Sequence, residues 1–377
     1  ESDMSNQELL QSQIAREAAA EGMVLLENRG QALPLELSGN VALWGSGVCQ
    51  ETEGSISVLQ AFEEAGYEIT TKEWLDRVME DNQGQHSGER ALTQKDLENG
   101  ARDGTDVAVY VISRASGAEQ SAEEVSLTET EEANIRKMAE SFSRSIVVLN
   151  VEGVVDTGFV RQISKLDGVL LMSDAGIQGA KALVDVLNGT VVPSGKLTDT
   201  WALNCKDYEE ADGIYTGYRY FDTFGLDVAY EFGYGESYTD FAIQVEEVTA
   251  DENWVEAEVT VTNTGDRYSG KEVVQLYVSA PDAATANKPE KELKAFAKTK
   301  ELKPGEAVVV TLKVNADDLA SYDEAASAWV VTPGNYKFLV GASSRDIKAT
   351  LEAEVAAATQ KTNNILKLQE PMSLLKR

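Results

Sequence analysis

Over roughly its first two hundred residues the chain alternates two apolar rhythms. Short runs such as "NVALWGSG", "DVAVYVISR", "SIVVLNV" and "DGVLLMSDAG" place apolar, often β-branched residues at successive positions, as strands buried on both faces do. Between them lie segments with helical spacing: "SVLQAFEEAG", closed by Gly66; "TETEEANIRKMAESF", where Thr128 and Glu131 are spaced as a capping box; and "GAKALVDVLNG", with Gly189 just past its end. "YEITT" reads as a further strand. Strands alternating with helices predict an α/β domain built on a mostly parallel sheet covered on both faces. In such sheets the loops leaving the carboxyl ends of the strands carry function.

From about residue 242 the rhythm changes to period two. "IQVEEVTA", "WVEAEVTVTNTG", "EVVQLYVSAP", "KELKAFAKTKELKPGEAVVVTLKV", "ASAWVVTPGNYKFLVGASS" and "IKATLEAEV" are short alternating runs punctuated by Asn-Thr-Gly and Pro-Gly turns. That spacing predicts an all-β sandwich. The expected organisation is therefore an α/β domain over 1–241, a β-sandwich over 242–356, and a polar linker or tail over 357–377.

A length of 377 residues suits two domains, each with its own core. Apolar residues make up 42% of the chain and charged residues 26%, which is ordinary for a globular protein and unlike a disordered one. No apolar run approaches the ~20 residues a bilayer span requires, so no membrane partner is expected. The N-terminal stretch has neither a basic start nor an apolar h-region, which makes a cytoplasmic location the default expectation. Sixty-four acidic against thirty-three basic residues give a formal charge of −31, which repels a phosphate backbone; nucleic acid is not an expected partner.

The residue inventory narrows the chemistry. Cys49 and Cys205 are the two cysteines, too few for a disulfide framework or a CxxC metal site. A single histidine, His86, in the polar stretch "DNQGQHSGER", leaves neither a Ser-His-Asp triad nor a multi-histidine zinc site to build. No metal and no cofactor is expected. "VALWGSGVCQ" has a G-x-G after a strand, but Gln50 stands where a dinucleotide-binding turn has its third glycine. Carboxylates remain, and "SRASGAEQSAEE" gathers Glu119, Glu123 and Glu124 directly after the buried run "DVAVYVIS".

Several stretches together resemble glycoside hydrolase family 3, the β-glucosidase-like enzymes. "AREAAAEGMVLLENRGQALPL" looks like the helix and strand that enter that family's (α/β)6 sandwich domain. "VDVLNGTVVPSGKLTDTW" is close to its "VL-G-nPSGKLP-T-P" signature, and "GYRYFDTFGLDVAYEFGYGESYTDF" to its "GYRYFD" and "FG-GLSYT-F" motifs. "VTNTGDRYSGKEVVQLYVSAP", "KPEKELKAFAKTKELKPGE" and "PGNYKFLVGASS" resemble its fibronectin type III-like domain. The resemblance implies a retaining β-glycosidase acting on a β-linked oligosaccharide or glucoside. The Asp nucleophile would come from a (β/α)8 barrel, as another domain or chain, that these residues do not contain. It implies the front part of a reversed-order member, and leaves a homo-oligomer open.

The resemblance also assigns the acid/base. The family carries it as a glutamate in "R-SGEG-DR", and "RASGAEQSAEE" occupies the matching place. The family glutamate falls at Ala118, Glu119 stands one residue later, and Ser121 and Ala122 replace the usual Asp-Arg pair. Glu119 is the candidate general acid/base, with Glu123 second. The alternative is a non-catalytic scaffold or carbohydrate-binding module that kept the fold and lost turnover.

Overall fold

The computed structural model describes residues 5–51, 53–81, 89–114, 126–173, 175–362 and 376. Its contacts divide the chain into two compact units, one running to Lys196 and including Gly235–Tyr238, the other formed by Leu197–Tyr234 and the residues from Thr239 onward.

In the first unit, strands β1 (Val24–Asn28), β2 (Gly39–Trp44), β3 (Tyr67–Ile69), β4 (Val107–Ser113), β5 (Arg144–Asn150) and β6 (Gly168–Leu171) form, among the described residues, one sheet in the order β1-β6-β5-β4-β2-β3. All neighbours are parallel except β1, which runs antiparallel to β6 at one edge. Val107–Ile112 and Ser145–Leu149 are buried residue after residue, the expected signature of central strands covered on both faces. Helices α1 (Asn6–Gly22), α2 (Val58–Glu64), α3 (Lys72–Asp81), α4 (Gln94–Gly100), α5 (Glu129–Ser141), α6 (Gly158–Gln162) and α7 (Gly179–Leu187) complete the unit. The Thr128/Glu131 capping box is present at the start of α5. Arg16 of α1 reaches Asp185 of α7 through two hydrogen bonds of 2.6 and 2.7 Å.

The family-like glycines earn their place by close approach. A Cβ on Gly195 would lie 2.2 Å from the Met23 carbonyl oxygen, and one on Gly235 would lie 2.1 Å from the Gly195 carbonyl oxygen. "PSGKL" and "YGESYT" thus meet backbone to backbone, with the Lys196 ammonium donating to the Gly235 carbonyl at 3.1 Å.

The second unit opens with a two-stranded ribbon, β7 (Trp201–Ala202) and β8 (Val228–Tyr230), around the short helix α8 (Tyr218–Thr223). Tyr215, Tyr220 and Phe221 form a small aromatic core there, so the rings of "GYRYFD" are structural within this unit. The sandwich that follows has one sheet in the order β13 (Ala307–Asn315), β10 (Trp254–Asn263), β9 (Phe241–Ala250). The other runs β12 (Glu292–Lys298), β11 (Val273–Ser279), β16 (Gly334–Gly341), β17 (Ile347–Val355). Alternate residues such as Val259, Val261, Leu276, Phe338 and Val340 point into one core. A third small sheet joins β14 (Ser321–Asp323), β15 (Ala328–Val331) and β18 (Ala358–Lys361). β18 lies in the stretch expected as a linker or tail. Its four residues are all exposed, so it carries no apolar alternation, and its backbone pairing with β15 is what makes it a strand.

Candidate active site

The parallel strands β2, β4, β5 and β6 end on one edge of the first sheet. Along the chain, β2 is followed by β3 on one side of it, whereas β4, β5 and β6 are laid down successively on the other. The strand order therefore reverses between β2 and β4, and the crevice outside the carboxyl ends at such a switch point is where open α/β sheets bind ligands. The two segments leaving the sheet there are the turn after Trp44 and the segment after Ser113.

These two exits are packed directly on one another. Gly45 has a φ of +95°, and a Cβ there would lie 2.4 Å from the Val111 carbonyl oxygen; a Cβ on Gly47 would lie 2.6 Å from the Ser113 hydroxyl. Only a bare backbone lets the β2 exit lie against the end of β4. Asn150, at the end of β5, donates to the Ser113 hydroxyl at 3.3 Å and carries the connection one strand further.

Glu89 closes the β2 exit from the other side. Its two carboxylate oxygens accept the Ser46 backbone N–H and the Ser46 hydroxyl, each at 2.9 Å. The Tyr110 hydroxyl of β4 also hydrogen-bonds this carboxylate, and accepts the Asn134 side-chain amide at 3.0 Å. Asn134, on α5 and fully buried, donates to the Arg90 carbonyl at 2.9 Å and accepts the Leu92 N–H at 2.8 Å, which fixes the chain on which Glu89 sits. Burial pushes the Glu89 carboxyl above the ordinary carboxylate range; the Ser46 and Tyr110 donors oppose this, and the Glu131 charge adds to it. Burial likewise raises the Tyr110 hydroxyl well above its usual range, with Glu89 as the next cause.

The β4 exit is held by an ion pair. Arg114 lays its guanidinium across Glu131 of α5 with two bonds of 2.8 Å. The same guanidinium donates to the Ser126 carbonyl at 3.0 Å and the Ser113 carbonyl at 3.1 Å. Arg114 and Ser126 are the described residues flanking the segment that carries the predicted carboxylates, so one side chain ties the departure and the return of that segment together. Glu131 does double duty, because its second oxygen also accepts the Thr128 N–H at 2.8 Å as part of the helix cap.

Glu119, the candidate acid/base, lies outside the described residues, as do Glu123, Glu124 and His86. Cys49 and Cys205 are not joined in a disulfide. Burial pushes the Cys49 thiol up to about 11, so it is protonated, and not a thiolate nucleophile, near neutral pH. The G-x-G turn after β2 leads into a single 3-10 turn, Ser46–Cys49, and the next α-helix begins only at Val58, so no helix N-terminus is set there to receive a pyrophosphate. Among the described residues no group of three His, Cys, Asp or Glu is placed to hold a metal ion, and no helix is long and apolar enough to cross a membrane. Glu89 and the second role of Glu131 escaped the sequence reading. Glu89 stands in a polar stretch without periodicity, and the capping box accounted for Glu131 by itself.

An α/β sheet with its switch point between β2 and β4, followed by an all-β sandwich, is the two-part architecture that the family resemblance implies. The chain belongs to glycosyl hydrolase family 3: the model of that family's C-terminal domain matches residues 23–238, and a fibronectin type III-like domain matches 272–344. Among curated relatives, Beta-glucosidase A of Butyrivibrio fibrisolvens is 34% identical over 89% of this chain, and a beta-glucosidase of Ruminococcus albus 35% identical over 89%. The chain spans 50% and 40% of their respective lengths. Among solved structures, beta-glucosidase 3B from Thermotoga neapolitana in complex with glucose superposes with a TM-score of 0.84 at 33% identity, over 95% of this chain and 56% of that one.

Proposed function

We propose that this chain supplies the general acid/base side of a retaining β-glucosidase active site, completed by a (β/α)8 barrel that supplies the Asp nucleophile. The observation that carries this reading is the placement of the β4 exit. The segment bearing Glu119 and Glu123 departs from the switch point of the sheet, and its flanks are pinned by Arg114 to Glu131 and Ser126. The beta-glucosidase names of the relatives support the substrate class, a β-linked glucoside or oligosaccharide.

A retaining glycosidase needs two carboxyl groups about 5 Å apart. In the proposed division of labour, Glu119 as the acid protonates the glycosidic oxygen while the barrel aspartate attacks the anomeric carbon. Glu119 as the base then takes a proton from the water that releases the sugar. The test is hydrolysis of a chromogenic β-glucoside by this chain with and without a barrel-containing partner. Activity that needs the partner and falls by about 10²–10⁴-fold in Glu119→Gln is the expected result. If Glu123→Gln has that effect and Glu119→Gln does not, the acid/base is Glu123.

A second reading has one specific observation in its favour: Ala118 stands where the family resemblance puts the glutamate. On that reading the chain is a non-catalytic scaffold or carbohydrate-binding module. No hydrolysis in either setting, together with retained binding of a β-linked oligosaccharide, would establish it over the first.

A further inference from the structure

The carboxylate of Glu89 joins three parts of the chain that sequence keeps apart. It takes both donors of Ser46 on the β2 exit at 2.9 Å, it meets the Tyr110 hydroxyl of β4, and its own stretch is anchored to α5 through Asn134. Beside the fully buried Val48 side chain, the β2 exit is anchored through the polar groups of Ser46. Gly45 and Gly47 offer no side chain to pack, and the turn rests on the Val111 carbonyl and the Ser113 hydroxyl. The next anchor along β4 is Arg114, which holds the flanks of the acid-bearing segment.

We propose that Glu89 is a positioning residue: it fastens the β2 exit onto the end of β4, so that the two sides of the switch-point crevice behave as one body. Its catalytic consequence rests on the function proposed above, whereas the coupling itself does not. Glu89 touches no reacting atom in this scheme. It acts through Ser46 and Tyr110 on the base from which the acid/base segment departs. Among the described residues the charged groups that face it are Glu131 and Arg114, with the neutral Cys49 thiol and the Tyr110 hydroxyl beside them. Arg114 is joined to Glu131 by two hydrogen bonds of 2.8 Å, and Glu89 is held by its hydrogen bonds to Ser46 and Tyr110.

The experiment compares Glu89→Gln with the wild-type chain by hydrogen exchange and, with the barrel-containing partner added, by steady-state kinetics on a chromogenic β-glucoside. Replacing the carboxyl that bonds Ser46 and Tyr110 is expected to speed exchange about 10-fold in peptides covering Gly45–Cys49 and Ser113–Arg114, while peptides within β5 exchange as before. In the kinetics, kcat is expected to fall about 10-fold with KM changed by less than about 2-fold. Ser46→Ala, which keeps the backbone bond, is expected to give the same pattern at about a third of the size and serves if Glu89→Gln does not fold. Wild-type exchange at the β2 exit in both variants overturns the proposal. So does faster exchange confined to that turn, or accompanied by an unchanged kcat. A wild-type chain that hydrolyses nothing with its partner defeats the function reading alone, and joint loosening of the two exits then decides for or against the coupling.

Discussion

Arg114 and Glu131 are joined by two parallel hydrogen bonds of 2.8 Å, with the Glu131 side chain only 6% exposed and that of Arg114 18%. A pair this dry is costly to break from one side, because the remaining charge stays buried without its partner. Arg114→Ala and Glu131→Ala are each expected to destabilise the first unit by about 3 kcal/mol in denaturant unfolding. Glu131→Ala should lose about 0.5 kcal/mol more, since it also removes the bond from the Thr128 N–H, the Glu131 half of the α5 capping box, while the Thr128 hydroxyl stays in place. The double variant should cost much less than the sum, as expected of directly coupled groups.

Gly45 makes a sharper prediction. With φ at +95° and the Val111 carbonyl 2.4 Å from where a Cβ would stand, Gly45→Ala meets both a backbone penalty and a clash with backbone that cannot step aside. A loss of about 3 kcal/mol is expected, read as a lowered Tm. Gly22→Ala is the control: nothing lies within 4 Å of its Cβ position, and it should shift Tm little.

Two carboxylates of the first unit should respond to pH in opposite directions. Burial raises Glu89, so its contribution is full below the unfolded carboxyl range, near pH 4, and is lost as pH rises through its folded pKa. The stability advantage of wild type over Glu89→Gln should therefore shrink from pH 4 toward neutrality. Burial also pushes Asp96 up, but the Thr93 hydroxyl and amide and the Arg77 guanidinium outweigh it and hold the carboxyl below its usual range. Its contribution is present above about pH 4 and is lost as pH falls through the folded pKa, so wild type and Asp96→Asn should converge in acid. Urea midpoints across pH 3–7 check both signs.

In the second unit, Asp222, the acid of "GYRYFD", accepts the Arg345 Nε at 2.7 Å and has the Lys291 ammonium at 3.4 Å, with its own side chain 3% exposed. Asp222→Asn leaves two cations facing each other without their shared anion. A destabilisation of about 2 kcal/mol is expected, discounted for the partial exposure of Arg345. It should appear in the unfolding of the second unit and leave exchange in β4 and β5 unchanged.

What could be read from the chain followed the strength of its local patterns. The unbroken apolar run of β4 and the Thr128/Glu131 spacing announced a buried strand and a helix start because each depends on neighbours in sequence. β18 escaped for the opposite reason: its residues are exposed, and only pairing with β15 makes it a strand. The acid-rich segment after β4 was evident as sequence, and its family resemblance gave it a role. The amino-acid order determined the two fold classes, the alternation of strands and helices, and the presence of carboxylates beyond a buried strand. The tertiary structure decided the order of the strands, and so the switch point between β2 and β4. It also decided that Glu89 would meet Ser46, 43 positions away, and that Arg114 would meet Glu131. Those meetings depend on which strand lies beside which, a long-range arrangement selected by packing of the whole sheet, and no periodicity along the chain encodes it.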